Sequence, residues 1–176
     1  MIAPDAAGSH WERLVDEHQI RAVLMRYCRG IDRLDEELLR SCFHVDSYDD
    51  HGHFAGTGHE FVSFIVPSLR ARAHHTTHAV ANVLIDFDAD DPAQARSEAY
   101  SLAHLRRTDD QGMEWLDFFS GRYIDDMAKR DGTWRIARRV VVHDWSTSTR
   151  LDDDSFPLPM DGFTQGRRDR DDPVYC

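Results

Sequence analysis

The sequence has 176 residues, enough for one domain with a substantial buried core. Its 21 Lys and Arg against 32 Asp and Glu give a formal net charge of −11, which repels phosphate backbones and anionic lipid. No apolar stretch approaches the ~20 residues of a membrane span, and the N-terminus lacks the layout of a signal peptide. We therefore expect a cytoplasmic protein that binds neither nucleic acid nor membranes.

Three helices are predicted in the first 72 residues. The first begins with the capping-box pattern of residues 9–12 and continues at helical spacing to Ile31. The second covers residues 35–43 and has an acidic first turn. The third covers about residues 59–70, and Pro67 should kink or interrupt it. The polar, glycine-broken segment 46–58 between the last two helices predicts a strand and a loop.

After residue 72 the hydrophobic pattern changes to period two. This alternation predicts long strands at residues 75–88, 95–107, 113–127 and 133–146. Turns are predicted at residues 109–112 and 130–133, and the second contains the Asp-Gly pair typical of tight hairpins.

These elements predict one α+β domain over residues 1–150, with the helices on one face of a mainly antiparallel sheet. Strands of about a dozen residues exceed the usual ~5–6, so they should twist and curl into a concave face. Helices that only partly cover such a face leave a pocket. The remaining residues, 151–176, predict an irregular tail that packs on the domain or on a neighbouring subunit.

Histidines cluster in two places in the sequence. The clusters are His51, His53 and His59, and His74, His75 and His78. In a strand His74 and His78 share one face while His75 points away, so the second cluster converges on one ion only with a bend. Neither cluster has a carboxylate at a typical ligand spacing, and the three cysteines, Cys28, Cys42 and Cys176, lack CxxC spacing. We predict no metal and no nucleotide cofactor, and expect the first cluster on the surface of a polar loop.

Two titratable residues are candidates for acid–base chemistry. His78 shares a strand face with Val80 and Asn82, a face that lies against either water or a cavity. Asp32 follows Gly30 at the end of the first helix, where a carboxylate is either exposed or directed into the pocket mouth. The pattern alone leaves both residues with a structural and a catalytic interpretation.

Three segments carry a resemblance to a known family: "RYCRGIDRLDEELLRSCFHVDSYDD", "HHTTHAVANVLIDF" and "YIDDMAKRDGTWRIARRVVV". Over about residues 10–146 the chain resembles the SnoaL-like branch of the nuclear transport factor 2 fold. Within that branch it is similar to the lyases scytalone dehydratase, bile-acid 7α-dehydratase and hexachlorocyclohexane dehydrochlorinase. The resemblance implies a cone-shaped α+β fold in which a strongly curved, mainly antiparallel sheet and about three N-terminal helices enclose a pocket.

The resemblance also implies a set of site residues. Asp32 and His78 match the catalytic Asp–His dyad of those lyases, and Tyr27 matches a pocket tyrosine of the bile-acid enzyme. We expect Tyr27 to be a third catalytic residue that hydrogen-bonds a departing oxygen or a developing oxyanion. His143 aligns with a last-strand arginine of the bile-acid enzyme, and His104 matches a second histidine of scytalone dehydratase only in a shifted alignment. The implied substrate-binding residues are His104, Asn82, His143, Tyr48 and Phe119.

The function implied by the resemblance is that of a cofactor-independent lyase in aromatic compound catabolism. Such an enzyme removes water, or formaldehyde through carbon–carbon cleavage, from a hydrophobic cyclic or aromatic small molecule. Two alternatives stay open: a polyketide cyclase or steroid isomerase, and a non-catalytic subunit such as the small subunit of a ring-hydroxylating dioxygenase. The same relatives imply a homo-oligomer, with a trimer as the expected state.

Overall fold

A computed structural model describes residues 4–151 and 160–175. The helices are α1 (Pro4–Arg33), α2 (Glu36–Ser41) and α3 (Gly58–Arg72), and a 3₁₀ turn covers Pro173–Tyr175. The strands are β1 (Phe43–Asp50), β2 (Ala55–Gly56), β3 (His75–Phe87), β4 (Gln94–Thr108), β5 (Glu114–Arg130) and β6 (Thr133–Arg150). The predicted α+β class with three helices and a curved, mostly antiparallel sheet is confirmed.

One predicted helix start is wrong, and one of the two effects predicted for Pro67, an interruption of the helix, is absent. Helix α1 begins at Pro4 instead of Ser9, because proline is tolerated in a first turn and the alanines that follow it favour a helix. Helix α3 runs through Pro67 without interruption. A reciprocal capping box between Thr57 and Glu60 stabilises its start, and a buried apolar face extends to both sides of the proline.

The six strands form one sheet in the order β2-β1-β6-β5-β4-β3. All neighbouring strands are antiparallel except β1 and β6, which run parallel with Phe43 opposite Ile136 and Asp49 opposite Arg139. The parallel pair was not predicted from the sequence. It places β1 between β2 and β6, and Ser47 and Asp49 near the end of β1 are buried there.

A bulge helps to bend the two longest strands. The register between β5 and β6 shifts at Ser120 and Gly121, and an extra residue at such a point increases local twist and curvature. A Cβ atom on Gly121 would lie 2.1 Å from the carbonyl oxygen of Val142 and 2.7 Å from the ring of Phe119. Only glycine permits this close approach.

Gly121→Ala is therefore expected to destabilise the protein by about 1–3 kcal/mol, the usual cost of forcing an extra methyl group into packed structure. Urea unfolding of the variant and the wild type would measure the difference. Gly162→Ala is the matched control, since no heavy atom of the described residues other than its chain neighbours lies within 4 Å of its Cβ position. Equal midpoints for Gly121→Ala and wild type would contradict the close approach of β5 to β6.

The described part of the C-terminal segment, residues 160–175, packs on the ends of α1 and α3. Arg168 donates to the backbone carbonyls of Asp32 and Ala73, and the Tyr175 hydroxyl donates to Asp35 at 2.8 Å. Residues 152–159 and 176 of the predicted tail lie outside the described residues. Within the described ranges, no helix is both long and apolar enough to cross a membrane.

Candidate active site

A cavity of about 260 Å³ lies between α1, α3 and the concave face of the sheet. For comparison, a cavity of about 150 Å³ is large enough to hold benzene. The apolar part of its wall comes from both helices and from β4, β5 and β6, and includes Ile31, Phe61, Ile65, Leu69, Phe119 and Val141. Tyr27, His51 and His78 line the same space. The wall is thus largely apolar with a few polar groups, as is usual for small-molecule sites.

Asp32 and His78 form a hydrogen-bonded pair at the wall of this cavity. Asp32 Oδ1 lies 2.7 Å from His78 Nδ1, and Asp32 Oδ2 accepts the backbone N–H of His78 at 2.9 Å. The Asp32 side chain is 11% exposed. Because a carboxylate only accepts hydrogen bonds, Nδ1 of the neutral ring carries the proton. The unprotonated Nε2 then remains as the basic atom of His78.

The end of α1 delivers Asp32 to this position. Leu34 adopts the left-handed conformation with φ 54°, and the Asp35 N–H bonds back to the Gly30 carbonyl at 2.9 Å, which terminates the helix. A Cβ atom on Gly30 would lie 2.8 Å from Leu39, so glycine permits α2 to pack at this point. Asp32 therefore lies in the last turn of α1, where the negative end of the helix dipole disfavours a carboxylate. The two donors of His78 compensate for that environment.

A second buried Asp–His pair lies in the same wall. Asp49 on β1 is fully buried, and its Oδ1 contacts Nδ1 of His51 just beyond the strand. Nε2 of His51 lies 3.2 Å from the Tyr27 hydroxyl, and the His51 ring stacks on Phe61 at 3.9 Å between centroids. Burial lowers the pKa of His51, and the contact with Asp49 opposes that shift. His51 is thus not the surface residue that was predicted.

A buried arginine stands behind Tyr27. Arg139 forms two hydrogen bonds of 2.7 Å with Asp125, and both side chains are fully buried. Its guanidinium carbon lies 4.1 Å from the ring centroids of both Tyr27 and Tyr123. Burial raises the pKa of the Tyr27 hydroxyl well above its ordinary value, although Arg139 acts in the opposite direction. Tyr27 is consequently a neutral hydroxyl held in a rigid aromatic and cationic setting.

Residues 12–140 match the SnoaL-like domain family. The chain belongs to this family. The predicted relationship is thereby confirmed, while no curated protein sequence matches the chain significantly. The SnoaL-like domain covers most of the helices and strands that build the cavity.

Solved structures share the nuclear transport factor 2-like fold of this SnoaL-like domain. A protein of Novosphingobium aromaticivorans provisionally named a scytalone dehydratase is 24% identical, with a TM-score of 0.68 over 77% of this chain and 88% of that one. A hexachlorocyclohexane dehydrochlorinase of Novosphingobium barchaimii is 18% identical, with a TM-score of 0.69 over 85% and 99%. A protein of N. aromaticivorans provisionally named an aromatic ring hydroxylase is 19% identical, with a TM-score of 0.66 over 79% and 96%.

Two further predicted residues of the SnoaL-like domain lie together on the concave side of the sheet. Phe119 lines the cavity. His143 is exposed beside it, with ring centroids 5.4 Å apart, and its Nε2 lies 3.1 Å from the Ser146 hydroxyl. The structure therefore places His143 outside the lining, next to one of its members.

The other three predicted substrate-binding residues lie away from the cavity, which corrects their expected positions. His104 is exposed on the outer face and packs on Phe118, because its neighbours on β4 at odd positions point inward. Asn82 is exposed at a bulge of β3 with φ 48°, which ends the alternation that would have aligned it with His78. Tyr48 is 42% exposed, and Arg138 covers its ring.

The Asp49–His51 pair was missed because the sequence offers little to distinguish it from a polar loop. Ser47, Asp49 and His51 alternate with period two, which would place them on one face of a strand. No apolar residue in that short run marks the face as the inner one. Among the residues that the structure describes, no three His, Cys, Asp or Glu side chains are grouped so as to hold a metal ion.

Proposed function

We propose that this SnoaL-like protein is a cofactor-independent lyase that eliminates a small group from a hydrophobic cyclic or aromatic molecule. The leaving group is water, or formaldehyde when a carbon–carbon bond is cleaved. The observation that supports the proposal is the 2.7 Å contact between Asp32 and His78 at the wall of an apolar cavity. A histidine held by a buried carboxylate is a common arrangement for general base catalysis.

In a dehydration, His78 Nε2 takes a proton from the carbon next to the one that carries the hydroxyl group. The electron pair of the broken C–H bond forms the double bond, and the C–O bond breaks. Asp32 stabilises the imidazolium that forms, and this imidazolium returns its proton to the departing hydroxide as water. In a loss of formaldehyde, His78 takes the proton of a hydroxymethyl group, the C–C bond breaks, and the resulting carbanion recovers the proton. Atoms and electrons balance in both reactions without an oxidant or reductant.

The size of the cavity supports a substrate of one or two rings. Its volume of about 260 Å³ exceeds the ~150 Å³ that holds benzene, and aromatic and aliphatic side chains form most of its wall. Two of the similar structures carry the names of elimination enzymes, a dehydratase and a dehydrochlorinase. These names agree with the proposed class of reaction. The apolar wall of the cavity agrees with an aromatic substrate.

The test is mass-resolved turnover of a panel of hydroxylated one-ring and two-ring aromatic compounds by wild type and His78→Ala. We expect a product lighter by water or formaldehyde, formed by the wild type and lost in the variant. His75→Ala is the matched control, because His75 is an exposed histidine on the same strand and points to the other face. It should retain full turnover.

Other results would support the alternatives. A product of unchanged mass with altered chromatographic retention would indicate an isomerase or cyclase. Absence of turnover across the panel, together with co-purification of a large iron–sulfur subunit, would favour a non-catalytic role. Full activity in His78→Ala would exclude the proposed mechanism.

A further inference from the structure

Tyr27, His51 and Asp49 form a chain of hydrogen bonds that begins in the cavity and ends at a fully buried carboxylate. The Tyr27 hydroxyl lies 3.2 Å from His51 Nε2, and His51 Nδ1 contacts Asp49 Oδ1. Tyr27 is 1% exposed, and the His51 side chain is 13% exposed. The three residues come from α1, from the turn after β1 and from β1 itself.

The direction of these hydrogen bonds follows from the protons available. As a carboxylate Asp49 can only accept, so His51 Nδ1 donates to its Oδ1, while Asp49 Oδ2 has no hydrogen-bond partner among the described residues. A neutral imidazole has only one N–H, which leaves His51 Nε2 as an acceptor. The Tyr27 hydroxyl is the partner of that nitrogen and must therefore donate its single proton to His51. The remaining lone pairs of the Tyr27 oxygen can only accept.

The surroundings of His51 favour this neutral state. Its ring is stacked on Phe61 and largely removed from water, and removal from water disfavours a charged imidazolium. The charged or titratable groups that act on it are Asp49 from β1, Arg139 from β6 and His53 from the adjoining turn. Asp49 favours the charged ring, whereas Arg139 and His53 disfavour it; with the effect of burial, the pKa of His51 is lowered.

We propose that the Tyr27 oxygen is an acceptor subsite that selects a substrate with a donating hydroxyl group. This inference rests on the proposed function for the reaction, and it deepens that function by naming the substrate class. The substrate is a phenol or alcohol whose hydroxyl group bonds to Tyr27 while His78 acts on another atom. Tyr27 then does not protonate the leaving group, a role that falls to the His78 imidazolium.

The two cavity histidines that contact a carboxylate, His51 and His78, are thereby assigned different tasks. Nδ1 of each histidine contacts a carboxylate. His78 Nε2 has no hydrogen-bonding partner among the described residues, whereas His51 Nε2 accepts the hydrogen bond of the Tyr27 hydroxyl. His78 can take a proton from a substrate directly. His51 acts through Tyr27 and is a positioning residue that determines whether Tyr27 donates or accepts.

Binding of phenol and anisole tests the subsite without requiring turnover. Both molecules have one ring and one oxygen, but only phenol can donate a hydrogen bond. One net hydrogen bond of up to about 1.5 kcal/mol corresponds to roughly tenfold in affinity, so wild type should prefer phenol by up to about that factor. The dissociation constants can be measured by NMR titration. Equal affinities of wild type for the two molecules would overturn the proposal.

Variants identify the groups responsible for the preference. Tyr27→Phe alone removes the acceptor but frees His51 Nε2 to accept in its place. The double variant Tyr27→Phe with His51→Leu removes both acceptors and keeps the ring that Arg139 contacts, so its preference for phenol should disappear. His51→Leu releases the Tyr27 proton, which can then be donated to anisole, and should also reduce the preference. His59→Leu is the matched histidine control, since His59 bonds the Arg40 backbone instead of the cavity. A phenol preference that persists in the double variant would contradict the proposal.

Direct observation of the His51 tautomer provides a second measurement, which does not depend on any variant remaining folded. In wild-type protein labelled with ¹⁵N-histidine, we expect His51 to be neutral with its proton on Nδ1 near neutral pH. A proton on Nε2 would reverse the Tyr27 hydrogen bond and overturn the inference. Because neither measurement involves catalysis, the proposed lyase activity could fail while the subsite is confirmed, or the reverse.

Discussion

Replacing Asp32 by asparagine is expected to lower turnover about 10⁴-fold, the scale found when the carboxylate of a histidine-orienting pair becomes an amide. Asparagine has nearly the same shape but only one acceptor oxygen, whereas Asp32 accepts both the side chain and the backbone N–H of His78. If the amide donates to Nδ1, the proton of the ring moves to Nε2. His78 then presents a donor instead of a base.

Steady-state turnover of a substrate identified in the panel would measure this effect. Asp35→Asn is the matched control, because Asp35 caps α2 through the Leu38 N–H and asparagine is an equally good N-cap. It should remain within a few-fold of wild type. An Asp32→Asn variant that keeps more than about a tenth of the activity would be incompatible with the orienting role expected of the carboxylate.

Asp125→Asn should have the largest effect on stability, about 3–5 kcal/mol, because it leaves the Arg139 charge buried without its partner. Both side chains of this pair are fully buried and joined by two hydrogen bonds of 2.7 Å. The aromatic faces of Tyr27 and Tyr123 stabilise the guanidinium but do not neutralise it. Urea unfolding would report the loss as a lower midpoint at unchanged slope.

A double replacement separates loss of the ion pair from loss of packing. Asp125→Leu combined with Arg139→Met removes both charges and retains apolar volume, so it should be much more stable than Asp125→Asn alone. If the single variant were as stable as wild type, the pair would not be sequestered from water as the structure describes.

The sequence predicted the parts of the fold that depend on local pattern. Period-two alternation identified β3 to β6, and their length indicated a concave sheet with a pocket. The parallel pairing of β1 with β6 joins residues at least 90 positions apart, such as Asp49 and Arg139, and no local pattern records such a contact. That pairing is also what takes Asp49 and His51 into the interior.

What the sequence could predict about the positions of the candidate site residues was limited in a similar way. Asp32 and His78 were selected through family resemblance, and the structure brings them to 2.7 Å across 46 positions of the chain. Arg139 could not be distinguished from its exposed neighbour Arg138 by sequence, because consecutive strand residues face opposite sides and neither side was marked as buried. The error for His104 arose from a shifted alignment with the family, and the error for Asn82 from the bulge in β3.

Because β3 lies at the edge of the sheet, Asp32 also affects association between molecules. β3 is the last strand of the sheet, so backbone groups along its free side could pair with a strand of another chain. Asp32 Oδ2 accepts a hydrogen bond from one of those groups, the backbone N–H of His78. The carboxylate thus helps to protect an open edge from intermolecular pairing. Substitutions without an acceptor at this position would expose that edge, so their solubility needs to be assessed separately from their chemistry.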